Sequence, residues 1–141
     1  MLDIFDSICI LLAKAEQKHY LYTKKLLSEN AVGITPGQMT VLYALFRGDG
    51  IAITELGKKV FLDNSTLTGL IDRLEKLGLV YRAAAPEDRR SYCIFLTEKA
   101  RKLEEVITET MNHVEEIMTA ECTPSEIETF RQVLRKIYAA L

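Results

Sequence analysis

Cysteine is scarce in this sequence, and the three present, Cys9, Cys93 and Cys122, are odd in number and far apart. That excludes a disulfide framework and a CxxC zinc site, and leaves three buried, inert thiols as the expectation. Long apolar runs are missing too. The longest, residues 8–13, falls far short of the ~20 residues that cross a bilayer, so no transmembrane helix is expected. Asp3 and Asp6 stand where an export signal would carry positive charge, and a cytoplasmic location with no membrane partner follows as the expectation. Basic residues are not in excess either. The net charge is −2, so bulk electrostatics give no argument for a polyanionic partner. No GxSxG, HExxH or glycine-rich phosphate loop occurs, and His19 and His113 lie outside any short metal-ligand spacing. Neither an enzyme, a metal nor a cofactor is expected.

What remains is the composition of one folded domain: 141 residues, 48 % of them apolar and 27 % charged, are enough to bury a core and too few for two. Residues 2–29 place Ile4, Ile8, Leu11, Leu12, Ala15, His19, Tyr22 and Leu26 three and four apart, the stripe of a long amphipathic helix. Gly33 marks a turn. Thr35-Pro36-Gly37-Gln38 then reads as a capping box with proline at the first helical position, opening a second helix with Met39, Leu42, Tyr43 and Phe46 inward and Gly48-Asp49-Gly50 at its end. Ile53, Leu56 and Val60 predict a short third helix. Asp63 or Asn64 caps a fourth that runs to Leu77 and closes on Gly78. Leu67, Leu70, Ile71, Leu74 and Leu77 form its apolar side, while Ser65, Thr66, Thr68, Gly69, Asp72 and Arg73 project elsewhere.

After Gly78 the period changes to two. Residues 79–83 and 91–96 read as paired strands around a charged loop that contains Pro86, Asp88, Arg89 and Arg90. Thr97 caps a long fifth helix with Ala100, Leu103, Ile107, Met111, Val114 and Met118 on one stripe. Thr123-Pro124-Ser125-Glu126 is a second capping box, and Ile127, Phe130, Leu134 and Ile137 are expected inward on the helix it opens. The fold class is therefore mainly α with a small β-hairpin wing.

The order of these elements brackets a three-helix unit and a charged hairpin between long flanking helices. A helix that begins with small hydroxyl residues fits the major groove of B-DNA, and an arginine-tipped hairpin fits the narrow, electronegative minor groove beside it. Charge is distributed in keeping: residues 52–90 carry seven Lys/Arg against six acids, whereas residues 103–122 hold six glutamates and no Lys or Arg. The flanking helices are too long to be covered by the small unit alone, and a two-fold partner would supply the missing surface. Two such readers suit half-sites about 34 Å apart, hence a pseudo-palindromic operator.

DNSTLTGLIDRLEKLG at 63–78, LVYR after it, PEDRRSYCIFLT at 86–97 and TPGQMTVLYAL at 35–45 together resemble the MarR (multiple antibiotic resistance regulator) family of winged helix-turn-helix regulators. The resemblance covers nearly the whole chain. It implies a ligand-responsive repressor, with residues 35–96 as the DNA-binding lobe and residues 1–34 and 97–141 as dimerisation helices. Ser65, Thr66, Thr68 and Arg73 would face the major groove or its phosphates, Asp88 would brace the wing, and Arg89 or Arg90 would enter the minor groove. Gly69 departs from the larger, often basic residue of many relatives. The resemblance also implies a small aromatic or phenolic effector held between the dimer helices and the reader, for which His19, Tyr20, Tyr22, Tyr43 and His113 are the candidates. Cys9 matches the peroxide-sensing branch in position, although Thr35 stands where that branch has tyrosine. A thiol-sensing regulator and a winged-helix protein-interaction module are the alternative readings.

Overall fold

Most helix starts are set by side-chain caps, seen here in a computed structural model that describes residues 3–30, 32–85 and 88–141, the side chains at 88–91 lying outside the description. Asp3 accepts from the Phe5 amide at 3.0 Å and opens a 3-10 turn, Ile4–Asp6. Ser7 is extended and accepts from the Ile10 amide, so helix α1 runs Ile8–Glu29 and does not begin at residue 2. Gly33 turns the chain at φ +71°. Thr35 and Gln38 exchange both bonds of the capping box, at 3.2 and 2.9 Å, and open α2, Pro36–Phe46. Strand β1, Ile51–Ala52, leads into α3, Ile53–Val60, and then α4, Asn64–Lys76, capped by Asp63. Gly78 ends that segment at φ +73°, which a residue with a Cβ resists. Strands β2, Val80–Ala85, and β3, Asp88–Leu96, precede α5, Glu98–Arg101, α6, Glu104–Met118, and α7, Pro124–Ala140, whose capping box joins Thr123 and Glu126.

The strands form an antiparallel sheet in the order β1-β3-β2. Val80 faces Leu96, Arg82 faces Ile94 and Ala84 faces Tyr92, with an irregularity between Ala84 and Ala85. Sequence reading found the hairpin but not β1. Two residues cannot display a period of two, and Ile51 and Ala52 are a strand only because Ile94 and Cys93 lie opposite them.

The core lies where α2, α3 and α4 meet the sheet. Leu42, Leu45, Leu56, Leu67, Ile71, Leu74 and Ile94 are fully buried there, each contributing roughly 1.5–3 kcal/mol of hydrophobic stabilisation. α1 and α6 reach the same core through Leu27 and Ile107. Several expectations are corrected. The predicted fifth helix is two helices, broken at residues 102–103, because α5 is tied to the head: Thr97 Oγ1 donates to the Gly78 carbonyl at 2.7 Å and Lys99 Nζ to the Leu77 carbonyl at 2.8 Å. Cys93 is buried, but Cys9 and Cys122 are exposed. Leu77 and Phe130 are exposed, Tyr43 and Phe46 only half-buried, and α7 buries no residue fully. Most notably, Ile4, Ile8, Leu11 and Leu12 of the N-terminal stripe point away from the core, and the face of α1 that meets it carries Thr23 and Leu27. Among the described residues no helix is long and apolar enough to cross a membrane.

Candidate nucleic-acid interface and effector cleft

Helix α4 is held from beneath by Leu67, Ile71 and Leu74, which leaves Asn64, Ser65, Thr66, Thr68 and Arg73 exposed on its outer side. The tight α3–α4 turn that sets its angle depends on Gly57, where an added Cβ would sit 3.0 Å from the Leu62 carbonyl, and on Phe61, held at φ +57°. Asp63 accepts from the Thr66 amide at 2.7 Å, and that backbone bond is the main cause of a carboxyl pKa held below its ordinary value. Thr68 Oγ1 donates to the Asn64 carbonyl at 2.6 Å. Its hydroxyl proton is thereby used, and the side chain presents lone pairs and a methyl group outward. Beside it, a Cβ added at Gly69 would meet nothing within 4 Å among the described residues.

The wing is anchored at its root. Asp49, in the α2–β1 loop, accepts from the Leu96 amide at 2.9 Å and from Arg101 Nη2 at 3.0 Å, joining β3 and α5 to the head. Tyr81 stacks on Phe95 with ring centroids 5.4 Å apart. Arg82, missed as a site residue in the sequence, donates from β2 to Asp72 and Glu75 of α4. The side chains of Asp88, Arg89 and Arg90 lie outside the described residues, although their backbone belongs to β3.

The candidate effector residues divide between two hollows. A cavity of about 410 Å³ between α1, α2 and α6 is bordered by His19, Thr23, Met39, Tyr43 and Met111. A more open apolar groove of about 590 Å³ across α1 and α6 is bordered by His19, Leu21, Tyr22, Ile117 and Met118, with Lys18 and Lys25 on it. His19 therefore touches both, Tyr43 only the first and Tyr22 only the second. His113 borders neither and lies 3.4 Å from the Tyr22 hydroxyl through Nε2; Tyr20 is exposed and borders neither. Thr23 was not singled out from sequence. It is 1 % exposed, and its hydroxyl has no hydrogen-bond partner among the described residues. The available signal was its position four residues after His19 and four before Leu27, on the inner line of α1.

The family model described as MarR family matches residues 34–92. The uncharacterised HTH-type transcriptional regulator YsmB of Bacillus subtilis (strain 168) is 38 % identical over 109 residues, 77 % of this chain and 74 % of that protein. The HTH-type transcriptional regulator TtmR of Methylorubrum extorquens (strain PA1) is 44 % identical over 70 residues; the match spans 50 % of this chain and only 36 % of that longer protein. Among solved structures, BpsR of Bordetella bronchiseptica superimposes with a TM-score of 0.89 at 24 % identity, covering 98 % of this chain and 97 % of that one, and so shares its fold. With its helix-turn-helix, three-stranded wing sheet and flanking helices, the chain belongs to the MarR family of transcriptional regulators.

Proposed function

We propose that this chain is a sequence-specific DNA-binding repressor that acts as a homodimer on a pseudo-palindromic operator and is released by a small aromatic or phenolic effector. The observation that carries the reading is the outer side of α4. Asn64, Ser65, Thr66, Thr68 and Arg73 are all exposed on a helix of 13 residues, about 20 Å long, whose opposite side is locked in the core. Ser65, Thr66 and Thr68 would meet base edges or phosphates in the major groove, with Arg73 reaching the backbone, while Asp88 braces the wing and Arg89 or Arg90 enters the minor groove. Residues 35–96 form the DNA-binding lobe in this reading. Residues 1–34 and 97–141 form the dimerisation helices, supported by the apolar side chains that α1 and α7 leave exposed.

The cavity beside Thr23 and Tyr43 suits a flat phenol, with apolar walls from Met39 and Met111 and a buried hydroxyl that has no partner among the described residues. BpsR, whose DNA binding is regulated by 6-hydroxynicotinic acid, supports an effector of that size. A thiol-sensing variant of the same reading is favoured by one observation: Cys9 is exposed on the first turn of α1.

The test is fluorescence anisotropy with the duplex immediately upstream of the chain's own coding sequence against an unrelated duplex of equal length. Tighter binding to the first is expected, falling steeply between ~50 and ~200 mM salt. Ser65→Ala with Thr66→Ala and Arg73→Ala should abolish the preference, and 6-hydroxynicotinate or 4-hydroxybenzoate should lower affinity. Equal affinity for both duplexes, or none for either, would leave a protein-interaction module as the better reading.

A further inference from the structure

We infer that Arg82 is a positioning residue of the DNA-reading surface, fixing the angle between α4 and the wing through two carboxylates one turn apart. This rests on the reading that α4 and the wing both contact DNA. Asp72 and Glu75 stand three residues apart on α4 and so share a face of the helix. From β2, Arg82 Nη2 reaches Asp72 Oδ1 at 2.6 Å and Nη1 reaches Glu75 Oε1 at 3.0 Å. The arginine side chain is 25 % exposed while its partners are 52 % and 43 % exposed, so the guanidinium lies inside the joint and the acids at its rim. A planar fork with both ends occupied resists rotation in a way that a single lysine contact would not.

The position of this joint gives it leverage. Arg82 is paired with Ile94 on β3, which is fully buried, and β3 runs outward from there to Asp88. Arg89 stands five steps along the strand from Ile94, a lever of roughly 17 Å at ~3.3 Å per residue. A tilt of about 10° at the root therefore moves the tip by about 3 Å, as much as the full length of a hydrogen bond. Arg82 also lines a small hollow with Thr68 and Tyr92, which places the joint directly between a reading side chain and the wing. Partly exposed ion pairs add little to global stability, so the effect belongs in DNA binding.

The experiment uses the full chain, its own upstream duplex and the unrelated control. Arg82→Gln should keep the native melting temperature within a few degrees and lose at least tenfold in affinity. Hydroxyl-radical footprinting should show minor-groove protection at the wing lost or shifted, while guanine N7 protection by α4 persists. Arg82→Lys, which retains the charge but not the fork, should share the altered footprint. Should Arg82→Gln fold poorly, Asp72→Asn with Glu75→Gln breaks the same joint from the other side and should shift the footprint in the same way. Native affinity and footprint in these variants would overturn the inference alone, as would a loss in Arg82→Gln that Asp72→Asn with Glu75→Gln fully restores, since that would make the bridge a charge mask. A wild-type chain that binds neither duplex would overturn the underlying reading, and the inference with it.

Discussion

The hydroxyl of Thr23, buried without a partner among the described residues, is in a state that costs about 1–3 kcal/mol. Thr23→Val keeps the shape and removes the unsatisfied group, so the melting temperature of the effector-free protein should rise by about 4 °C or more. The same variant should respond less to 4-hydroxybenzoate. A lower melting temperature would mean that Oγ1 already has a partner and is not waiting for a ligand. Asp63 acts in the opposite direction. Its folded pKa lies below its unfolded one, chiefly through the Thr66 backbone N–H, so its contribution is complete above the ordinary carboxylate range and is lost as pH falls through the folded value. Asp63→Ala should therefore melt lower than the parent at neutral pH, and the gap should close in strong acid. A gap that does not change with pH would show that the cap works without its charge.

At the scale of elements, two glycines differ in what they tolerate. Gly50, at φ +71°, lies where a Cβ would come 2.9 Å from the Phe95 ring, and its amide donates to the Ile94 carbonyl at 2.7 Å. Gly50→Ala should destabilise by more than about 1 kcal/mol in chemical denaturation. Gly69 has an ordinary φ and no described atom within 4 Å of an added Cβ, so nothing among the described residues requires a glycine in the middle of α4. Gly69→Ala should stabilise by about 0.5–1 kcal/mol. If α4 enters the groove closely at that point, the gain in stability should come with weaker DNA binding. Improved affinity would instead show that the position lacks a contact and has no need of clearance. The capping boxes were legible because Thr35 with Gln38 and Thr123 with Glu126 need only three residues of local sequence. The α5–α6 break was not, because it depends on Asp49 and Gly78, distant in sequence, holding α5 to the head.

At the scale of the whole molecule, the disposition of apolar surface dominates. Ile8 is 73 % exposed, Leu11 47 % and Phe130 55 %, a distribution that a lone chain in water would carry at a cost of several kcal/mol. In the proposed homodimer, a second copy covering these helices would remove that cost. Ile8→Asp with Phe130→Asp should shift sedimentation toward the monomer, abolish the dependence of melting temperature on protein concentration and weaken operator binding together. A variant that stays dimeric would place the contact elsewhere. One link between the ends of the molecule is internal: Phe61 of the α3–α4 turn meets Tyr138 near the end of α7 edge-on, with centroids 4.9 Å apart. α7, a dimerisation helix in the proposed function, therefore touches the turn that sets the angle of α4.

The amino-acid sequence by itself determined the elements whose causes are local. Helix starts follow from Thr35, Asp63 and Thr123, the stop after α4 from Gly78, the hairpin from a change of period, and the outward hydroxyl side of α4 from the spacing of Leu67, Ile71 and Leu74. Tertiary structure alone decided what depends on a distant partner. It made Ile51–Ala52 a strand, divided Tyr22 from Tyr43, buried Thr23 and turned the N-terminal stripe away from the core. Periodicity reports that a face is apolar, but an amphipathic stripe has the same pattern whichever surface covers it, and only the packed chain shows which faces it fills itself.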